Sequence, residues 1–217
     1  MGLTKAVLRG SPHLGVFCAA NDNHAFVPLS APKSFDDRLR ESLGVDVVRT
    51  TMMNSNLIGT FVACNSRIAF LPADAEKREL NAFKEAFGEV VLVGGGFNAL
   101  GNLISMNDSG IACSPAIIRE VAGSVECEPA RIAGSDLTGS AVFATNAGFL
   151  CHHDATQAEV EKLESLFKSK GNIGTVNFGD PFVRSGLIGN RHGIVAGSRT
   201  SGPEMARIDN SFVFTRE

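Results

Sequence analysis

The feature that most constrains this chain is an internal repeat. Five segments align on a Gly and a later Asn: LGVFCAANDNHAFVP from Leu14, IGTFVACNSRIAFLP from Ile58, LGNLISMNDSGIACSP from Leu100, TGSAVFATNAGFLCHH from Thr138 and SGLIGNRHGIVAG from Ser185. The leading glycines are Gly15, Gly59, Gly101, Gly139 and Gly186, separated by 44, 42, 38 and 47 residues. The aligned asparagines are Asn21, Asn65, Asn107, Asn146 and Asn190, and each run closes at Pro28, Pro72, Ser114, His153 or Gly197. A period of this length marks units that cannot bury their apolar faces alone and must pack on one another.

Each unit has a readable internal order. Short apolar runs flank Asn-Asp-Asn, Asn-Ser-Arg, Asn-Asp-Ser-Gly, Asn-Ala-Gly and Asn-Arg-His-Gly, which predicts two strands joined by a tight turn. Asn and Gly suit such turns because they accept positive φ at low cost. Helical spacing follows: Leu80, Phe83 and Phe87 within Ala73–Phe87, stopped by Gly88; Val160, Leu163, Leu166 and Phe167 within Asp154–Lys170, capped by Asp154 and stopped by Gly171. Ser34–Leu43 and Pro203–Phe214 are shorter equivalents, and Pro115–Ala122 is the weakest. Third strands are predicted at Val45–Thr50, Val90–Val93, Ala130–Ala133 and Ile173–Asn177. The unit is therefore β-β-α-β.

The fifth segment carries a hairpin and a helix but no third strand before Glu217, while Thr4–Arg9 is a strand with no helix before it. The N-terminal strand would complete the last unit. The expected fold is an α/β, five-bladed propeller with pseudo-fivefold symmetry, closed by residues 3–9 into a ring without free sheet edges between units. We expect one domain over residues 1–217, with repeats at 14–55, 56–98, 99–135, 136–182 and 183–217.

Composition narrows function more by exclusion. A net charge of −3 provides no basic field to attract nucleic acid, so DNA is not an expected partner and RNA would be met locally or through proteins. Fifteen Phe without Trp or Tyr argue against a stacking platform for single strands. Five Cys without a C-x-x-C pair read as buried thiols of a reducing, cytoplasmic setting. The start MGLTKAVLRGSPHLG lacks the apolar stretch of a signal peptide, Ala6 breaks a myristoylation motif, and no apolar run of 18 residues occurs.

ALGNLISMNDSGIACSP (Ala99–Pro115), LIGTFVACNSRIAFLP (Leu57–Pro72), GTVNFGDPFVRSGLIGNRHG (Gly174–Gly193) and TSGPEMARID (Thr200–Asp209) resemble segments of the translation initiation factor 6 family, in the same order. The archaeal form is the better match. The resemblance implies a pentein fold and a cytoplasmic monomer without cofactor or metal. It implies binding to the joining face of the large ribosomal subunit, through an L14-type ribosomal protein near the sarcin–ricin loop. There the family keeps the small subunit away, with a further role in large-subunit biogenesis. Three places depart from the family pattern: His153 stands where Pro is usual, Arg119–Arg131 is compressed, and Arg9–Pro12 is peculiar to this chain.

In a pseudo-symmetric ring, equivalent loops share one end. The loops beside the aligned glycines are Ser11–Gly15, Asn54–Thr60, Asn98–Asn102, Asp136–Ser140 and Phe182–Ser185, rich in small polar residues and suited to a flat docking surface. By resemblance Asn102 and Thr60 lead the expected ribosome-binding set, with Asn56, Asn98, Ser140 and Arg184 behind them. Asn65, Arg67, Asp108, Arg191 and His192 at the other end read as turn residues.

Other motifs fail on context. Gly94–Ala99 matches G-x-G-x-x-A, but the segment after it reads as a strand rather than the helix a pyrophosphate needs. His152, His153 and Asp154 are adjacent on a strand end, where ligands should point apart. The rival class is a pentein guanidine-modifying enzyme, which needs a late nucleophilic Cys. The last Cys here is Cys151, and His192 has no Cys in its unit. A third reading is an interaction scaffold unconnected with ribosomes.

Overall fold

The computed structural model describes residues 2–214. The N-terminal strand β1 (Leu3–Ala6) leads into blade one: the single helical turn α1 (Leu14–Phe17), β2 (Ala19–Ala20), β3 (His24–Pro28), α2 (Lys33–Leu43) and β4 (Asp46–Thr50). Blade two repeats this with α3 (Ile58–Phe61), β5 (Ala63–Cys64), β6 (Ile68–Pro72), α4 (Lys77–Ala86) and β7 (Glu89–Val93). In blade three, α5 (Leu100–Leu103), β8 (Ile104–Met106) and β9 (Ile111–Cys113) precede a 3-10 turn (Pro115–Ile117), α6 (Ile118–Val121) and β10 (Glu128–Pro129). Blade four is α7 (Thr138–Ala141), β11 (Val142–Thr145), β12 (Gly148–His152), α8 (Gln157–Phe167) and β13 (Gly171–Gly174). A 3-10 turn (Val183–Gly186), β14 (Leu187–Gly189), β15 (Ile194–Gly197) and α9 (Gly202–Asp209) make blade five.

In blades one to four an antiparallel hairpin is followed by a helical crossover to a parallel third strand, and in all five sheets the second hairpin strand lies in the middle. Blade five takes its third strand from the other end of the chain: β1 runs parallel to β15, from Leu3 opposite Ile194 to Ala6 opposite Gly197. The N-terminal strand thus closes the ring, as the repeat predicts. Glu217, where the sequence reading ends the fifth unit, lies outside the described residues. One expectation is corrected. The strands form five separate three-stranded sheets, each keeping its own edges, so closure comes from packing between blades and not from a continuous ladder.

The packing explains the apolar character of the strands. Along β3, Ala25 and Val27 face a core shared with blade five, while Phe26 faces one shared with blade two. The same alternation splits Phe149 and Cys151 from Leu150 on β12, and Ile194 and Ala196 from Val195 on β15. Each middle strand is buried on both faces, so its sequence is apolar throughout instead of alternating with polar residues. All five cores lie between blades. At the first of these joints Phe26 stacks on Phe83 with centroids 4.2 Å apart. Each crossover helix covers the side facing the preceding blade, as Phe83 of α4 does together with Phe87 at the helix C-cap.

Element ends differ from the sequence expectation where side chains compete for backbone donors. Helix α8 starts at Gln157, capped by Thr156 in a capping box with Glu159, and ends at Lys168 in the left-handed conformation; Asp154 does not cap it and Gly171 opens β13. Helix α4 starts at Lys77 because Ala73–Ala75 form a turn and Glu76 caps the helix in a capping box with Glu79. Helix α9 ends at Asp209, short of Phe214. The third strand of blade three is Glu128–Pro129, because Ile132 instead pairs with Ser135 in a tight turn.

The asparagines also act otherwise than expected. Asn21, Asn65, Asn107 and Asn190 are absent from the positive-φ residues, which include Arg9, Met53, Asn54, Ala133, Asn177 and Phe178. They build Asx turns instead: Asn21 Oδ1 accepts from the Asn23 and His24 amides at 2.9 and 2.7 Å. Their amide groups then reach outward, from Asn21 to Asn65 O (2.9 Å), Asn65 to Asn107 O (3.0 Å) and Asn107 to Thr145 O (3.3 Å). At the joint between blades four and five, the segment after α9 supplies the link, with Val213 N donating to Ala147 O at 2.9 Å.

Candidate functional site

The inner strands run from a glycine end to an asparagine end, and the glycine end holds the residues predicted to bind a partner. There the chain makes one helical turn per blade, and the turns abut around the axis. A Cβ on Gly59 would overlap the carbonyl oxygen of Gly15, and one on Gly101 that of Gly59. Gly139 meets Gly101 O in the same way. Only residues without side chains allow this approach.

The fifth position breaks the pattern and corrects the sequence alignment. A Cβ on Gly15 would overlap Arg184 O, so Arg184, not Gly186, is the structural equivalent of the ring glycines. Likewise the equivalent of Asn107 in blade four is Thr145, whose Oγ1 accepts from Ala147 N at 3.0 Å, while Asn146 sits one residue further on the tip. The glycine-end residue then precedes the turn residue by six positions in all five blades: Gly15–Asn21, Gly59–Asn65, Gly101–Asn107, Gly139–Thr145 and Arg184–Asn190. That constant spacing was the signal available in the sequence.

The loops leading to four of the five helical turns close in a tight bridge, at Leu8–Ser11, Met52–Ser55, Ile132–Ser135 and Val176–Asp180. Three of these loops are held by the third helical residue of their own blade's crossover helix. Glu79 accepts from Met53 N and Asn54 N, both at 2.9 Å, and from Thr51 Oγ1. Glu204 accepts from Phe178 N (3.1 Å), Gly179 N (2.8 Å) and Thr175 Oγ1 (2.8 Å), and Glu159 accepts from Ala133 N at 3.1 Å. Burial pushes the Glu204 carboxyl up, but the hydrogen bonds outweigh it and bring the pKa to about 2; the same balance lowers that of Glu79. These glycine-end loops are thus preorganised by carboxylates, buried at Glu79 and Glu204 and half-buried at Glu159, that the sequence reading missed, although Glu at the third helical residue is a capping-box signature.

On this scaffold Thr60, Asn102 and Ser140 occupy one position, each half-buried and directly after a ring glycine. The Thr60 hydroxyl lies 3.4 Å from Val16 O, in the neighbouring turn. Ser185 is their counterpart in blade five, a residue the sequence reading passed over; its hydroxyl donates to Asp180 Oδ2 at 2.8 Å, with His13 Nδ1 3.4 Å away. Asn98 is half-buried in the loop before α5, and Asn56 is exposed in the loop before α3. Arg184 is placed differently: its guanidinium turns inward and Nη2 donates to Val62 O of blade two at 3.0 Å. Phe178, 79% exposed at the tip held by Glu204, is the most prominent apolar group among these loops.

At the asparagine end, Asn146 Nδ2 bridges Asp22 and Asp108 at 2.6 and 2.7 Å, and Asp22 also binds Arg191 Nε at 3.2 Å. These groups narrow the channel to a cavity of about 20 Å³. A cleft of about 770 Å³ lies elsewhere, bordered by Arg67, Cys127, Lys162 and Leu166 beside the compressed blade three; none of the six candidates lines it.

Two rejected motifs look different in three dimensions. His152, His153 and Asp154 converge, with rings stacked at 4.9 Å and ligand atoms within 4.8 Å of one another, contrary to the expectation that they point apart. His152 Nδ1 is occupied, accepting from Asp154 N at 3.1 Å, as in a turn cap. The residues after Gly94–Ala99 form α5 rather than entering a strand directly. With four residues it has almost no aligned dipole for a phosphate.

The eIF-6 family model matches residues 3–211, nearly the whole ring. The chain belongs to the eIF-6 family. Among its relatives, the translation initiation factor 6 of Sulfolobus acidocaldarius is 34% identical over 98% of this chain and 99% of its own length. That of Methanocorpusculum labreanum is 35% identical over 95% and 97%, and that of Methanosphaerula palustris 36% over 94% and 95%. The five sheets are the pentein fold of this family, mostly archaeal among these relatives. The relatives carry the name of an initiation factor and not of an enzyme. Among the described residues no helix is long and apolar enough to cross a membrane.

Proposed function

We propose that this protein acts in translation initiation by binding the large ribosomal subunit on its inter-subunit face and sterically blocking the small subunit. The observation that carries this reading is the match over almost the whole chain to proteins named translation initiation factor 6. The glycine end is the docking face in this reading. Asn102 and Thr60 make the leading contacts, Asn56, Asn98 and Ser140 extend them, and Arg184 shapes the loop from within. Small, half-buried polar side chains on preorganised loops lose little entropy on docking, which favours a flat partner. The partner surface is an L14-type ribosomal protein close to the sarcin–ricin loop, and RNA contact is local because the net charge is −3.

The factor works as a cytoplasmic monomer of a single domain, without cofactor, metal or DNA, and the same contact serves subunit maturation. Occlusion needs no chemistry. Burial pushes the Cys64 and Cys151 thiols up to about 12 and raises those of Cys18 and Cys113 as well, which favours this reading over a cysteine-nucleophile enzyme. The test is co-sedimentation with purified large subunits, followed by light scattering of subunit joining. Binding with suppressed joining supports the proposal, and failure to co-sediment removes it.

A further inference from the structure

One apolar group at the glycine end is exposed on a strained backbone. Phe178 is 79% exposed, yet its φ is +72°, in the left-handed region that a bulky side chain rarely enters. Asn177 before it has φ +50° and Gly179 after it φ +102°, so three consecutive residues are left-handed. Asn and Gly accept that conformation at low cost, and Phe does not. The ring therefore strains the backbone without gaining the burial that would offset the strain.

The loop is also held so that the ring keeps its place. Glu204, buried on α9, accepts from Phe178 N at 3.1 Å and from Gly179 N at 2.8 Å. Asn177 N donates to Thr200 Oγ1 at 3.2 Å, and Asn177 Nδ2 donates to Pro12 O at 3.0 Å. The second of these bonds ties the tip to Ser11–Gly15, the glycine-end loop of blade one. The Val176–Asp180 bridge leads on into the turn that carries Arg184 and Ser185. Phe178 is thus fixed where the glycine-end loops of blades five and one meet.

The other left-handed tips differ. Gly95, Gly96 and Gly134 have no side chain to strain, and Ala133 has a small one. Met53 packs half-buried against the core shared by blades one and two, and Arg9 donates to Ser30 Oγ at 2.9 Å. Among the described residues only Phe178 joins a left-handed backbone to a large, exposed apolar side chain. Strain that the surrounding structure over-determines is a mark of function.

Charge separates two kinds of partner. Within Val176–Ser185 the charged residues are Asp180 and Arg184. Asp180 faces Ser185 Oγ at 2.8 Å and His13 Nδ1 at 3.7 Å, while Arg184 turns inward to Val62 O. The loop therefore presents no outward cation for a phosphate, which disfavours nucleic acid beside the ring.

We propose that Phe178 is an apolar anchor of the docking face and enters a hydrophobic pocket on the protein part of the large subunit. The proposal rests on the docking reading above and adds one apolar contact to its polar ones. A rigid aromatic side chain that is already in position loses little entropy on entering such a pocket.

Two variants of the full chain test this, by thermal unfolding and by co-sedimentation with purified large subunits. Phe178→Gly should melt no lower than the parent, because glycine relieves the left-handed strain, and should bind about thirtyfold or more weakly. A lower melting temperature would show that the ring serves the fold, and equal binding would show that it anchors nothing; either overturns the proposal. Phe178→Leu keeps an apolar group of similar size without a stacking face, and should bind within about fivefold of the parent. Binding as weak as that of Phe178→Gly would mean that the ring stacks on RNA, and the protein pocket is then excluded. A parent protein that does not co-sediment removes the docking reading itself, and this inference with it.

Discussion

Asn190 Nδ2 donates to Asn21 O at 3.1 Å and to Leu43 O at 2.9 Å, joining the last blade to the first. Asn190 Oδ1 meanwhile accepts from the His192 and Gly193 amides at 2.9 and 3.3 Å. One buried side chain therefore makes both a hairpin turn and a blade joint.

Removing it should weaken the ring. Asn190→Ala leaves two buried carbonyls and two turn amides without partners, at about 1–3 kcal/mol for an unsatisfied buried group. We expect a loss of about 2–4 kcal/mol in total, less than the sum because water can enter. Asn190→Asp should be no better, since a carboxylate would face two carbonyl oxygens. Urea unfolding followed by circular dichroism measures both, and a loss below about 0.5 kcal/mol for Asn190→Ala would refute the joint's importance.

The ring glycines should tolerate nothing larger. A methyl at Gly59 would overlap the carbonyls of Gly15 and Cys18, whereas at Gly88 it meets nothing within 4 Å and the backbone φ is ordinary. Gly59→Ala should cost about 3 kcal/mol or more, because backbone must move, and Gly88→Ala should change stability by less than about 0.5 kcal/mol. Equal melting temperatures for the two variants would contradict the close approach.

Acid should loosen the glycine-end loops. The folded Glu204 carboxyl, with a pKa of about 2, lies below its unfolded value, so the clamp contributes fully above about pH 4.5. That contribution is lost as pH falls from about 4.5 toward 2, and Glu79, also lowered, acts in the same direction. Stability measured between pH 7 and 3 should fall less steeply in Glu204→Gln than in the parent. Parallel pH profiles would show that Glu204 is not the titrating clamp.

Docking should depend on side chains that the fold does not need. Asn102 contributes a backbone bond to its helical turn, Asn102 N to Ala99 O at 3.0 Å, which any substitution except proline retains. Asn102→Asp should weaken large-subunit binding by about 1–2 kcal/mol while the melting temperature stays nearly constant. Unchanged co-sedimentation of that variant would take Asn102 out of the interface.

The repeat made much of this protein legible before any coordinate. Strand and helix identities depend on local pattern, and Phe83 and Phe87 or Leu163 and Phe167 declare a helix face within one unit. What stayed hidden concerns partners distant in sequence, such as Glu204 across from Gly179 in the preceding linker, 25 residues away, or Arg184 across from Val62, 122 residues away. The shift of Arg184 into the glycine position was concealed by Gly186, a real glycine two residues late. The six-residue spacing to Asn190 would have exposed it.

By itself the sequence determined the number of units, the order of strands within each, and closure by the N-terminal strand, because these follow from periodicity and from which elements each unit lacks. Tertiary structure decided the rest. The cores lie between blades and not within them, the asparagines join neighbours as well as making turns, and an arginine enters the channel where a glycine was expected. Each of these depends on the spatial register of one unit against the next. A repeat states that its units are alike, and only their packing states how they meet.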